Sequence, residues 1–153
     1  MADSFVEFED IPVFRVRARM PNPGPAAAFE ELESKLGTMK GRRFYGTMWM
    51  TDSGPEYQAC VARVATDDPS LLQLAEGVIP GGRYARRRFP DWEKNLARLP
   101  AEFEEMIRSH SSEYDPTRPC IEFYRSQSEL LMLVPVRRST HPSTAAGSRS
   151  PQS

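Results

Sequence analysis

In Arg118-Pro119-Cys120-Ile121-Glu122-Phe123-Tyr124-Arg125-Ser126 a single carboxylate stands between two large apolar residues. The run reads as a strand, and residues two apart on a strand share a face, so Glu122 goes with Tyr124 and Ile121 with Phe123. A carboxylate among aromatic walls is partly desolvated, which raises its pKa, while a nearby cation or a phenol hydrogen bond holds the charged form. Charged, Glu122 attracts a cation or acts as general base on water; protonated, it donates to a leaving group. The plainer alternative is a surface glutamate paired with Arg118 or Arg125, a contact worth little.

The aromatic residues that could surround such a group fall into alternating sets. In Arg42-Arg43-Phe44-Tyr45-Gly46-Thr47-Met48-Trp49-Met50, one face carries Tyr45, Thr47 and Trp49 and the other Phe44, Gly46, Met48 and Met50. The polar tips of Tyr45 and Thr47 favour the first set, hence Tyr45 and Trp49, for the ligand side; Gly46, which suits close approach of a flat ligand, favours the second. Tyr57 opens the next strand, where its phenol could reach the centre of a site. Tyr84 and Trp92 serve either as further ligand contacts or as packing, Tyr84 with its hydroxyl on backbone near Gly81-Gly82 and Trp92 as a rim or the start of a helical stripe.

Other chemistries find less support. Cys60 and Cys120 lie in strand-like runs without metal-ligand spacing, and neither His110, at the end of a helical pattern, nor His141, in a Ser/Thr/Pro stretch, reads as a metal ligand or catalytic base. No metal and no cofactor is expected, since the glycines match neither a P-loop nor a dinucleotide fingerprint. Arg86-Arg87-Arg88 is short and offset by Asp91, Glu93, Glu102, Glu104 and Glu105, which reads as a solvated strand end rather than a phosphate tract.

The elements that must position these residues come in two similar series. A strand over 11–20 is followed by the turn PNPGP and a short helix on which Phe29, Leu32, Leu36 and Met39 form one stripe, with Gly37 near its end. RRFYGTMWM and YQACVARV, joined by TDSGP, make a hairpin. The second series begins with a glycine-broken strand over 77–85. Trp92, Leu96, Leu99, Phe103, Met106 and Ile107 then share a helical stripe that Pro100 divides, and CIEFYRS with SELLMLVPV closes a second hairpin. The expected fold is α+β: two pseudo-symmetric β-α-β-β motifs forming an antiparallel sheet, with helices on one face and a ligand groove on the other. In that arrangement Ile121 and Phe123 turn toward the helices and Glu122 and Tyr124 into the groove.

Over 153 residues, 39% hydrophobic content suits one core, so residues 1–138 are expected as a single domain and residues 139–153 as a disordered tail. With 20 basic residues against 21 acidic ones, no global field points to DNA or an acidic membrane. No apolar run is long enough to span a bilayer, and the acidic start MADSFVEFED is unlike a secretory signal, so a cytoplasmic location is expected.

Pro80-Gly81-Gly82-Arg83-Tyr84, the Glu-x-Tyr of Glu122-Phe123-Tyr124 and the closing LLMLVPV resemble the GyrI-like small-molecule-binding domain, also the effector-binding domain of many multidrug-responsive transcription regulators. The resemblance covers roughly residues 8–138. It implies a groove for flat, lipophilic, often cationic compounds with an acidic residue on the penultimate strand, the place Glu122 occupies. Some stand-alone members hydrolyse DNA-alkylating natural products that carry a strained cyclopropane, others bind drugs without chemistry, and the founding type restrains DNA gyrase. About ten residues precede the first strand, too few for a helix-turn-helix, so direct DNA binding is not expected. The expected partner is a lipophilic aromatic small molecule, and the expected activity a cofactor-independent detoxifying hydrolysis, with Glu122 activating water and Tyr57 or Tyr124 donating to a carbonyl that gains charge. The alternatives are a sequestering or effector-sensing module and, less favoured, a gyrase-inhibitor-type interaction.

Overall fold

A computed structural model describes residues 3–137. The expectation for residues 139–153 lies outside that range. Eight strands form one antiparallel sheet: β1 (Ser4–Phe8), β2 (Ile11–Arg17), β3 (Phe44–Thr51), β4 (Gly54–Ala62), β5 (Ala75–Ile79), β6 (Gly82–Pro90), β7 (Cys120–Tyr124) and β8 (Glu129–Pro135). Their spatial order is β1-β6-β8-β7-β3-β4-β2-β5. The main helices are α1 (Pro25–Ser34) and α4 (Leu99–Ser109), with short turns at α2 (Pro69–Leu72) and α3 (Trp92–Asn95). No described helix is long and apolar enough to cross a membrane.

The strand order reads the same from either end once β1 to β4 are exchanged for β5 to β8. Both expected β-α-β-β units are present, and each has one more strand at its start. β1 pairs with β6 of the other half, and β5 pairs with β2. Phe8 lies opposite Gly82 and Ile11 opposite Ile79, so the same register runs through the Glu9-Asp10 and Pro80-Gly81 bends. This bent ribbon links the two ends of the sheet and curls it. Asp10 accepts a 2.7 Å hydrogen bond from the Gly81 amide, and a Cβ at Gly81 would lie 2.4 Å from the Phe8 carbonyl oxygen. The bend therefore needs a residue without a side chain.

Where one glycine-broken strand over 77–85 was expected, the chain makes two strands meeting at that bend, and Arg86, Arg87 and Arg88 lie inside β6 rather than at a solvated end. Two of these charges are matched locally, Arg87 by Asp3 at 2.7 Å and by Glu105, and Arg88 by Glu129, while Arg86 donates to the Ser4 hydroxyl at 3.1 Å.

Pro25 opens α1 at a position where its missing N–H is not needed. Ala28 and Leu32 pack on Phe14, Ala59 and Val61. The helix ends at Ser34, so Leu36 is buried just beyond it and Met39 is exposed. The stripe from Trp92 to Ile107 is divided as Pro100 requires, into α3, one 3-10 turn and α4, and Leu99 and Met106 pack on Leu130, Met132 and Val134. Paired residues across a sheet share a face, and the row Met132, Glu122, Gly46, Ala59 joins the two helical cores. Both helices thus lie on one face, with a gap between them over β7 and β3.

The other face is closed as well. Val13, Tyr45, Cys60, Ile79, Tyr84, Ile121 and Leu133 are buried together inside the curl.

Candidate functional site

β3 and β7 meet at the centre of the sheet, Gly46 opposite Glu122. Glu122 stands on the face that carries the helices, in the gap between them, and Ile121 and Phe123 point into the opposite core; this reverses the expected orientation of the strand. The curl explains the reversal. It buries the helix-free face, and on the helix face α1 lies over β4 and β2 and α4 over β8, so that the strip between them is covered by single rings, Phe29 and Trp92.

Two phenols hold the carboxylate. Tyr57 and Tyr124 each donate a 2.6 Å hydrogen bond to the same atom, Glu122 Oε1. Among the described residues no ion pair and no hydrogen bond reaches Oε2. Arg118 is committed to Asp115 and to the carbonyls of Arg83 and Val136, and Arg125 to Glu129, so neither supplies the surface pairing considered above. Burial pushes the Glu122 carboxyl above its ordinary value, against the lowering effect of Tyr124 and then Tyr57. Burial, and next the adjacent carboxylate, push both phenols up, Tyr57 and Tyr124 alike, so they stay protonated donors.

Aromatic rings surround this centre. Phe29 of α1 meets Tyr57 edge-on at 6.4 Å and Tyr124 at 5.4 Å, and Trp92 of α3 meets Tyr124 at 5.0 Å. The Trp92 indole N–H is anchored on the Ser126 carbonyl at 3.0 Å. Rings from both helical units therefore converge on one phenol beside the carboxylate. Phe44 and Met48, half-buried on the same face, continue the apolar surround.

Of the residues singled out from the sequence, Glu122, Tyr57, Tyr124 and Trp92 come together here. Tyr45, Trp49 and Tyr84 stand on the opposite face. Tyr45 stacks on Phe123 at 4.9 Å, Trp49 donates to the Thr47 hydroxyl at 3.1 Å, and Tyr84 stacks on Phe8 with its hydroxyl on the Pro80 carbonyl at 2.6 Å. The set on the Glu122 side is Phe44, Gly46 and Met48. The spacing of Phe29 places it only in a core stripe; its position at the site is fixed by how α1 crosses the sheet, which that spacing does not encode.

A wide cleft of about 680 Å³ lies elsewhere, between the end of β2 and α1. Four of the charged groups that line it pair across an open surface, Arg17 with Glu56 at 3.1 Å and Lys35 with Glu31 at 3.9 Å.

No family model and no curated protein matches this chain. Solved structures do. An integron cassette protein from the mobile metagenome of Vibrio cholerae matches with a TM-score of 0.65 at 17% identity, over 89% of this chain and 96% of its own. SAV2435, solved bound to tetraphenylphosphonium, matches with a TM-score of 0.63 at 11% identity, over 90% and 94%. A hydrolase from Listeria innocua matches with a TM-score of 0.57 at 8% identity, over 88% and 91%. The fold is consistent with the GyrI-like one. At these identities the likeness is one of fold.

Proposed function

We propose that the gap between α1 and α4 binds a lipophilic aromatic small molecule of positive charge, with Glu122 as its counter-ion. The observation that carries this reading is a half-buried carboxylate with no cationic partner among the described residues, set among Tyr57, Tyr124, Phe29 and Trp92. A desolvated charge without a partner is unfavourable, and a bound cation relieves it. The rings that surround the carboxylate can also pack against the aromatic groups of a ligand. The tetraphenylphosphonium held by SAV2435 is a compound of this kind, which supports the choice of ligand class.

The test is equilibrium binding of tetraphenylphosphonium to the wild-type chain and to Glu122→Gln, beside an uncharged tetraphenyl analogue. Glu122→Gln should weaken the cation roughly tenfold or more, about 1.4 kcal/mol per tenfold, and leave the neutral compound nearly unchanged. Equal losses for both compounds would contradict a counter-ion role.

A second reading adds chemistry at the same site: hydrolytic opening of a strained cyclopropane on an aromatic DNA-alkylating compound. Two features favour it, the raised pKa of Glu122 and an Oε2 that no described residue hydrogen-bonds, which together suit a general base on water. Glu122 would take a proton from water as its oxygen attacks a ring carbon. The ring C–C bond would break toward a conjugated carbonyl, which accepts a hydrogen bond from Tyr57 or Tyr124, whichever turns its single O–H away from Glu122 Oε1, and the resulting enolate would then take back the proton that Glu122 had removed from water. Mass spectrometry of such a compound over time should show a product heavier by one water. It should vanish with Glu122→Gln; unchanged compound that co-elutes with the protein would leave binding without turnover.

A further inference from the structure

Gly46 is the residue of the central row that the backbone does not explain. It lies inside β3, fully paired on both sides with Ala59 and Glu122, and its φ is outside the left-handed region where glycine is favoured. Glycine in a strand interior ordinarily destabilises by about 0.5–1 kcal/mol relative to alanine. Something other than chain geometry therefore retains it.

The space above it is filled by the site. Tyr57 does not stand in the row of Glu122; it pairs with Met48, one row away, and reaches the carboxylate diagonally across β3. A Cβ built on Gly46 would lie 1.9 Å from the Tyr57 hydroxyl, 2.7 Å from its Cζ and 2.6 Å from Glu122 Oε1. No real side chain tolerates such distances.

We propose that Gly46 is the positioning residue of the site: its missing side chain is the channel through which the Tyr57 phenol crosses β3 to pin Glu122 Oε1, so that Oε2 is the oxygen offered to a ligand. Tyr124 reaches the same oxygen from two residues along β7 and needs no such passage. The glycine thus acts through Tyr57 and touches no ligand itself. That consequence for the ligand rests on Glu122 being the binding carboxylate. The pinning itself does not, and it is measured without ligand.

The experiment is a titration of the Glu122 side-chain carboxyl by carbon-detected NMR in the ligand-free protein. It compares wild type, Gly46→Ala and Tyr57→Phe, with folding monitored by circular dichroism. The titratable groups acting on this carboxyl are Tyr57 and Tyr124, with Cys120 two residues before it on the same face. Gly46→Ala should displace the phenol and raise the midpoint as Tyr57→Phe does, on the order of one pH unit, roughly tenfold in proton affinity. A midpoint equal to wild type would overturn the inference. Should Gly46→Ala fail to fold, Gly46→Ala with Tyr57→Leu decides. Recovery of folding locates the collision at the Tyr57 ring, and continued failure would show that the glycine does not make room for Tyr57 and overturn the inference.

Discussion

The two faces of the β3–β7 pair handle polar groups in opposite ways. On the closed face the polar side chain is Thr47, 1% exposed; its hydroxyl accepts from the Trp49 indole and lies beside the Cys60 thiol. Thr47 carries no charge, stacked pairs, Tyr45 on Phe123 and Phe8 on Tyr84, lie in the same core, and the Arg118 guanidinium 4.9 Å over the Tyr84 ring is itself paired with Asp115. On the helix face the polar group is Glu122, which is ionisable and half-buried, has no cation beside it among the described residues, and is held by Tyr124, whose ring Phe29 and Trp92 meet edge-on. The first arrangement is complete without a ligand. In the second, the described residues hydrogen-bond only one carboxylate oxygen.

If the comparison is right, substitutions one residue apart on β7 separate stability from binding. Ile121→Ala, in the closed core and fully buried, should cost about 3 kcal/mol in chemical denaturation, with tetraphenylphosphonium affinity of the folded protein within about twofold of wild type. A comparable loss of affinity would break the division between faces. Tyr84→Phe removes the hydrogen bond to the Pro80 carbonyl and should destabilise by about 1 kcal/mol, again without effect on binding, whereas Tyr57→Phe and Tyr124→Phe should alter binding.

Smaller in effect, and sharper in meaning, is the pH dependence of stability. The folded-state pKa of Glu122 lies above the ordinary 4.5, so between those values the folded protein binds more protons than the unfolded chain. Its contribution therefore falls as pH rises from about 4.5 through the raised pKa. Glu122→Gln should remove this decline, so that the variant gains relative to wild type in thermal melts at pH 7 and not at pH 4. The smallest perturbation is Trp49→Phe. Of the two tryptophans it leaves Trp92, whose fluorescence should change on binding, and a silent Trp92 would mean that the ligand enters elsewhere.

Strand alternation made the partnership of Glu122 with Tyr124 legible in the sequence, because a period of two is strictly local. The helical stripes and the break at Pro100 were legible for the same reason. Which side of the sheet would be open was not. That depends on the curl imposed by the β1–β2 and β5–β6 ribbon, and β1 lies in an acidic stretch, SFVEF, whose pairing with β6 is set by residues some 80 positions away. The polar tips of Tyr45 and Thr47 suggest a ligand-facing side, whereas in the fold both residues are buried on the face opposite Glu122, where the Thr47 hydroxyl accepts from the Trp49 indole. The signal that would have corrected it was Gly46, a glycine in a strand interior with no turn to serve.

The central claim is that the Glu122 carboxylate, in its charged form, recognises the ligand. The most direct measurement is the affinity of the wild-type chain for tetraphenylphosphonium as a function of pH, with Glu122→Gln alongside. Affinity should rise with pH through a midpoint above that of an ordinary carboxyl, and Glu122→Gln should bind weakly and flatly across the same range. Equal, pH-independent affinity in both proteins would contradict the account.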